Sequence, residues 1–158
     1  MSPRVKLSDI IYSIGFQSYD TAFYLNRENG ELIPVSREQL RAAEEDGDRG
    51  DSPEWEKARI NLVREILADK KEEKYVAIPG MFVNHEHSVM ENFCLSLNEA
   101  EIAKPLCSLI LGKSARRRFN NSVHHFGVAE EWHAYRYKGM KRVVTDWCKA
   151  NNIDYLEE

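Results

Sequence analysis

The fold class is decided by residues 21–35, which read TAFYLNRENGELIPV. Two short apolar runs, residues 23–25 and 32–33, flank the dipeptide Asn29-Gly30. Because Asn-Gly readily adopts the positive φ angles of a tight turn, this stretch predicts a β-hairpin. Pro34 cannot donate a hydrogen bond to a neighbouring strand, so its strand is expected to lie at the edge of the sheet or to end there.

Helical signals dominate the rest of the chain. Ser36 and Gln39 form a capping box directly after the hairpin, and Pro53 begins the clearest helix. Residues 75–78 are a short apolar run that predicts a third strand. From His85 onward the apolar spacing is helical. Strands early and helices late predict an α+β fold, with a small three-stranded antiparallel sheet and a mostly helical C-terminal two-thirds.

The length of the chain suits one domain, and we expect a single domain over residues 1–158. Gly139 is expected to break or kink the last helical segment, residues 130–151. The apolar periodicity predicts one core that joins large side chains from successive helices. These are Trp55, Leu62, Phe93, Leu109, Phe119, Val144 and Trp147.

Composition is ordinary for a globular protein, with 42% hydrophobic and 30% charged residues. The net charge of −4 argues against a surface coated by nucleic acid, but it leaves room for a local basic patch. Residues 1–14 lack the apolar run of a signal peptide, and no stretch approaches the ~20 apolar residues of a membrane span. We therefore expect a cytoplasmic protein without a membrane partner.

The three cysteines, Cys94, Cys107 and Cys148, lie in apolar or helical stretches. Their odd number and wide spacing indicate neither a disulfide framework nor a zinc knuckle, so buried reduced thiols are expected. The tripeptide at residues 112–114, GKS, resembles the end of a phosphate loop, but Cys107 stands where that motif needs a glycine. No motif requires a cofactor, and none is expected.

A metal-dependent hydrolase is one alternative. His87 and Glu91 are four residues apart on a predicted helix, which places them on the same face. Catalytic zinc usually takes three protein ligands, so a third would have to come from His124, His125 or His133. Histidines on the surface near the start of a helix are the simpler interpretation.

The strongest local signal is a charge anomaly. The stretch from Ile102 to Ala129 contains no Asp or Glu. It holds the basic residues Lys104, Lys113, Arg116, Arg117 and Arg118 together with His124 and His125. The three arginines fall in the first turn of a predicted helix, where the helix dipole disfavours cations by ~0.3–1 kcal/mol each. Something should offset that cost.

Two interpretations account for the arginines. Carboxylates of the chain, such as Glu130 or Glu131, could pair with them internally. Alternatively, an external anion could bind there, because the free N–H groups of a helix start already favour phosphate. The second interpretation predicts a non-enzymatic binding module for an anionic partner: RNA first, then DNA, a phosphate-bearing small molecule or an acidic protein. A protein–protein adaptor is a further alternative, which would expose a large apolar patch.

The anion-binding interpretation assigns the site to six residues. These are Lys113, Arg116, Arg117, Arg118, His124 and His125. Arginine suits phosphate because its planar guanidinium donates two parallel hydrogen bonds, and histidines add positive charge below about pH 6.5. Trp132, Tyr135 and Arg136 could add a stacking surface, although helical spacing also fits the two aromatic residues to the core.

Several strings resemble an uncharacterised bacterial protein family. Residues 111–119, LGKSARRRF, carry the resemblance together with the hairpin residues 24–31 and the later Phe126-Gly127 and Glu131-Trp132. The resemblance covers nearly the whole chain. It implies a bacterial cytosolic domain of unassigned role, and it implies no catalytic residues.

Overall fold

The computed structural model describes residues 5–18, 20–45, 52–110 and 115–157. The chain divides into two compact units. The first takes in the described residues of Met1–Gly80 and Cys148–Glu158, and the second is formed by the described residues of Met81–Trp147.

The first unit mixes strands and helices. In chain order they are β1 (Val5–Lys6), α1 (Leu7–Ile14), β2 (Thr21–Asn26), β3 (Leu32–Ser36), α2 (Arg37–Glu44), α3 (Glu54–Ala68), β4 (Tyr75–Ala77) and β5 (Tyr155–Leu156). The second unit is helical. Its elements are α4 (Met81–Ser96), α5 (Ala100–Ser108), α6 (Ala115–His125) and α7 (Ala129–Ala150), with the last three residues of α7 assigned to the first unit. The predicted α+β class is confirmed.

The predicted hairpin supplies β2, the central strand, and β3, an edge strand, of the main sheet, whose strand order is β3-β2-β4 with both pairings antiparallel. In its turn Gly30 takes the positive φ, +74°, and donates its N–H to the carbonyl of Asn26 at 2.8 Å. Asn29 acts through its side chain, whose Oδ1 accepts the N–H of Glu31 at 2.8 Å. Pro34 lies in the edge strand β3, as its missing N–H predicts.

The capping box is also confirmed. Ser36 Oγ accepts the N–H of Gln39 at 3.1 Å, and Gln39 Oε1 accepts the N–H of Ser36 at 3.0 Å. This reciprocal cap begins α2 directly where β3 ends. The strand β3, the helices α2 and α3, and the strand β4 together bury one apolar cluster. Its members are Ile33, Val35, Ala42, Ala43, Ile60, Val63, Ile66 and Tyr75.

The predicted core is right in part. Phe93, Phe119 and Val144 are buried. Leu62, Leu109 and Trp147 are half-buried. Trp55 is 72% exposed, so its assignment to the core is wrong. It lies in the first turn of α3, ahead of Ile60, the first buried residue of that helix. There its side chain lines an open cavity of about 200 Å³ beside α2 instead of packing closely against it.

A second sheet went unpredicted. Strand β1 pairs in parallel with β5, with Val5 opposite Tyr155 and Lys6 opposite Leu156. Each strand has two residues. A strand of two residues carries no detectable period, and its partner lies at the other end of the chain, so local patterns cannot reveal it.

Gly139 does not break the helix as expected, because α7 is continuous from Ala129 to Ala150, and the alternative of a kink stays a prediction. The glycine serves a close approach of α4 instead. A Cβ at this position would lie 3.0 Å from both methyl carbons of Val89. The Gly139 carbonyl lies 3.1 Å from Nε2 of His85. Beyond this contact, the helical unit packs a cluster of rings in which Phe93 lies 5.3 Å from Trp132 and 6.4 Å from Phe119, centroid to centroid.

The single domain stays a prediction. We expect one cooperative thermal transition, with equal calorimetric and van't Hoff enthalpies, because α7 supplies residues to both units. Differential scanning calorimetry measures this directly. Two resolved transitions would show that the units unfold independently.

The loop between α3 and β4 is organised by Asp69. Its carboxylate accepts three backbone N–H groups, from Glu73 at 3.1 Å, Lys74 at 2.8 Å and Tyr75 at 2.8 Å. The hydrogen bond from Tyr75, followed by that from Lys74, lowers the pKa of Asp69 below its ordinary 3.8. Glu72 takes a positive φ of +53° in this loop. The carboxylate therefore holds the chain in the bend that leads into β4.

Replacing Asp69 by alanine should lower the thermal midpoint at pH 7. Because the pKa is lowered on folding, the native state binds fewer protons, so the stabilisation is complete above the ordinary pKa of 3.8 and is lost as pH falls through the folded value. The midpoints of natural and Asp69→Ala protein should therefore converge in acid. Glu73→Ala is the matched control, since it removes one exposed charge but keeps the backbone N–H. A difference from the natural protein that is independent of pH would contradict this account.

Candidate functional site

A charged residue lies in the core of the helical unit. Glu86 on α4 is 2% exposed. It falls on the face of α4 that also buries Phe82, Met90 and Phe93, at spacings of three and four residues. A carboxylate at such a position costs several kcal/mol in lost hydration unless positive charge is buried with it. The structure must therefore supply a compensating cation.

Two arginines provide the compensation. Arg116 on α6 donates from Nε to Oε1 of Glu86 at 2.7 Å. Arg136 on α7 donates from Nε and Nη2 to Oε2 at 2.9 and 2.6 Å. The Arg116 and Arg136 side chains are only 26% and 17% exposed. The carboxylate thus binds both later helices to α4 through short, charge-assisted hydrogen bonds.

These contacts divide the arginine cluster predicted from the sequence. Arg116 takes the internal ion-pair role, and its partner is Glu86 rather than Glu130 or Glu131. Glu130 and Glu131 are both exposed in the first turn of α7. The sequence contained a signal for Glu86, because it lies four residues before Met90 on the apolar face of the predicted helix. The predicted helix begins at His85, whereas α4 begins at Met81 and includes Phe82, four residues before Glu86 on the same face.

The remaining basic residues of α6 point outward. Arg117, Arg118, His124 and His125 are all exposed, whereas Phe119 and Val123 on the opposite side are fully buried. Successive residues of an α-helix are 100° apart, so positions 117, 118, 124 and 125 share one face, which extends about 12 Å along the axis. We call these four residues the α6 basic face. Lys113, the sixth predicted site residue, lies outside the described residues.

The predicted stacking surface does not extend this face. Trp132 is 2% exposed and donates its indole N–H to Oδ1 of Asn120 at 3.3 Å. Tyr135 is half-buried with its ring 5.3 Å from that of Phe93, and Arg136 binds Glu86. All three residues belong to the packing of the unit. The ring that lies next to the α6 basic face is instead that of His133, whose centroid is 6.1 Å from that of His124.

A cavity of about 260 Å³ opens beside the Glu86–Arg116 pair. Its polar lining comes from Asn84, Glu86, His87 and Arg116. Its remaining walls are Val83, Met90 and Ala115. The cavity explains how Arg116 keeps partial contact with water while its guanidinium is held by a buried carboxylate. None of the four residues of the α6 basic face lines it.

Of the described residues that the metal-dependent hydrolase would need, the structure brings together only His87 and Glu91. His87 Nε2 and Glu91 Oε1 lie 3.2 Å apart on α4. Within the described ranges, no group of three His, Cys, Asp or Glu side chains is arranged to hold a metal ion. The later histidines therefore do not complete a site there, and an exposed ion pair within one helix is the simplest description of His87 and Glu91.

Replacing Glu86 by glutamine should destabilise the protein by about 3 kcal/mol or more, because it leaves two partly buried guanidinium groups without their counter-charge. Glu91→Gln removes the same charge from an exposed position on the same helix and should cost less than about 1 kcal/mol. Urea denaturation followed by circular dichroism measures both. Equal stability of the two variants would show that the buried ion pairs contribute nothing.

Comparison with known proteins identifies the family of the chain but assigns it no specific role. No helix in the described part of the chain is long and apolar enough to cross a membrane. No curated protein and no solved structure matches the chain. Residues 4–158 match an uncharacterised protein family, UPF0158. The chain therefore belongs to the uncharacterised protein family UPF0158.

Proposed function

We propose that the protein is a non-enzymatic binding module whose α6 basic face engages single-stranded RNA. One observation carries the proposal: the two arginines and two histidines of this face are all exposed on one side of α6. The chain has a net charge of −4, so such a face is a local exception to its overall charge. Acidic residues elsewhere would confine an anionic partner to it.

The helix dipole supports an anionic partner. Arg117 and Arg118 lie in the first turn of α6, where partial positive charge from the backbone disfavours cations by ~0.3–1 kcal/mol each. At Arg116 the carboxylate of Glu86 offsets this cost. Arg117 is turned to the solvent, where a phosphate could offset it in the same way. We therefore leave Arg116 out of the binding set and keep Lys113 in it.

Phosphodiesters fit this face better than the other anionic partners. A guanidinium group donates two parallel hydrogen bonds to one phosphate, and exposed arginine side chains can adjust to a flexible strand. The face is about 12 Å long, which limits it to a few phosphates. With Arg116 paired internally, two or three contacts remain, so affinity should be modest and the log–log salt slope about −1.5 to −2.

The two alternative functions, a metal-dependent hydrolase and a protein–protein adaptor, have less support. A hydrolase would need a third metal ligand, which the described residues do not bring to His87 and Glu91. An adaptor would need one large apolar patch. The exposed apolar residues of α4, Met81 and Leu95, lie at opposite ends of that helix, about 21 Å apart. Tyr12 and Phe16 are exposed with their rings 4.8 Å apart, but two side chains make only a small apolar surface. The unbridged thiols Cys94 and Cys148 fit a reducing compartment, which supports the expected cytoplasmic location.

The proposal predicts salt-sensitive binding of labelled single-stranded RNA in fluorescence anisotropy. The Arg117→Ala, Arg118→Ala double variant should lose most of the affinity and most of the salt slope, because each phosphate contact contributes about −0.7 to that slope. The same measurement is repeated with labelled single-stranded DNA, and inorganic phosphate is added as a competitor of the RNA. If phosphate alone displaces the RNA at low concentration, the ligand is a small phosphate compound instead.

The matched control is Lys138→Ala, Arg142→Ala, which removes two exposed positive charges from α7 in the same unit. Circular dichroism must first show that both double variants are folded. RNA binding should survive the α7 changes. If the two double variants weaken binding equally, the attraction is a general charge effect, and if the natural protein does not bind at low salt, the proposal is wrong.

A further inference from the structure

A cavity of about 140 Å³ lies in the first unit, between the turn of the hairpin and the residues that follow α7. Its apolar lining includes Val5, Leu25 and Ile153, and its polar lining includes Asn26, Arg27 and Asp154. The cavity has room for about five water molecules at ~30 Å³ each, so only a small ligand can enter it.

The end of α7 positions one part of this lining. Asn152 takes a positive φ of +57° after the last turn of α7, and Ile153 donates its N–H back to the carbonyl of Cys148 at 2.8 Å. This is the hydrogen bond of a Schellman motif, which ends a helix and reverses the chain. The carbonyl of Asp154 then accepts the N–H of Val5 at 3.1 Å. Backbone hydrogen bonds therefore hold Ile153 and Asp154 beside β1.

Two opposite charges line the cavity without pairing. Arg27, directly after β2, donates from Nε to the carbonyl of Glu72 at 2.9 Å and from Nη1 to that of Asn151 at 2.7 Å. Both acceptors are neutral, and Asp69 acts on Arg27 through space without forming an ion pair. Among the residues that the structure describes, neither Arg27 nor Asp154 forms an ion pair with any side chain. A guanidinium and a carboxylate thus line one small cavity, each without an ionic partner in contact.

Asn26 adds a hydrogen-bond donor to the cavity. The residue is only 8% exposed, and its Oδ1 accepts the N–H of Glu28 at 2.8 Å. This contact fixes the orientation of the amide, because only the oxygen can accept. The other end of the amide, Nδ2, has no acceptor in the described part of the chain. A donor on a side chain more than nine-tenths buried needs an acceptor, and a ligand in the cavity can provide one.

We propose that this cavity binds a free α-amino acid with a small side chain, such as alanine or serine. Arg27 and the amide of Asn26 donate to the carboxylate of the ligand, and Asp154 accepts its ammonium group. The lining belongs to the first unit, whereas the α6 basic face belongs to the second. Amino-acid binding is therefore independent of the proposed RNA binding, and failure of one leaves the other untouched.

The opposite charges of the lining decide between classes of ligand. A small anion such as phosphate would be attracted by Arg27 but repelled by Asp154, and a small cation would meet the reverse. A zwitterion compensates both charges at once, and its carboxylate also provides the acceptor that Asn26 needs. The volume of the cavity then limits the side chain of the amino acid to a few atoms.

The test measures the thermal midpoint of the full chain by differential scanning fluorimetry with glycine, L-alanine and L-serine. A bound amino acid should raise the midpoint by about 5–11 °C at a hundred times its dissociation constant. Two analogues each lack one charge of L-alanine: alaninamide has no carboxylate, and propionate has no ammonium group. Neither should raise the midpoint at concentrations at which an amino acid does. If no amino acid acts at about 10 mM, or if either analogue matches the amino acids, the cavity is not a site for them.

Substitutions identify the groups that bind, with affinity measured by isothermal titration calorimetry. Asp154→Asn removes the charge that accepts the ammonium group, and Asn26→Asp keeps the acceptor for the N–H of Glu28 but replaces the donor by an oxygen. Each should weaken binding about 10- to 100-fold, the usual effect of losing a hydrogen bond to a charged group.

The matched control is Glu31→Gln, which removes an exposed charge from the same hairpin without changing the lining of the cavity. It should bind with the affinity of the natural protein. Circular dichroism must show that each variant is folded. A folded Asp154→Asn protein that binds as tightly as the natural one overturns the proposal, and if that variant does not fold, the comparison of alaninamide with L-alanine on the natural protein decides.

Discussion

Burial of the Glu86 carboxylate imposes a requirement for positive charge inside the helical unit, and the arrangement of that unit follows from it. The charge comes from Arg116 on α6 and Arg136 on α7, one for each carboxylate oxygen. Because charge-assisted hydrogen bonds are short and directional, they specify the positions of both helices against α4 more narrowly than apolar contact does. Apolar packing of Phe93 against Phe119 and Trp132 then fills the space between them.

The same interaction sets the rotation of α6 about its own axis. Once Arg116 is turned inward to Glu86 and Phe119 is buried, the 100° step of the helix turns Arg117 and Arg118 to the solvent. Three consecutive arginines therefore have two different roles. One compensates a buried carboxylate, and the other two contribute to a basic face in a chain that is acidic overall.

Local features of this protein were predictable because local chemistry determines them. The hairpin depends on Gly30, which alone of its turn dipeptide needs the positive φ, and the start of α2 depends on hydrogen bonds between Ser36 and Gln39. Trp55 was misassigned for the complementary reason. Its spacing fits the apolar face of α3, but burial needs other side chains packed closely over the ring, and periodicity carries no information about such packing.

The candidate site shows the same division. The amino-acid sequence alone was enough to establish the α+β class, the edge position of Pro34 and a run of residues rich in arginine and free of carboxylates. It could not tell which arginine is internal, because Glu86 and Arg136 are distant from Arg116 along the chain and become its neighbours only when three helices pack. Pairing energies depend on distance and burial in space, and neither quantity exists until the chain has folded.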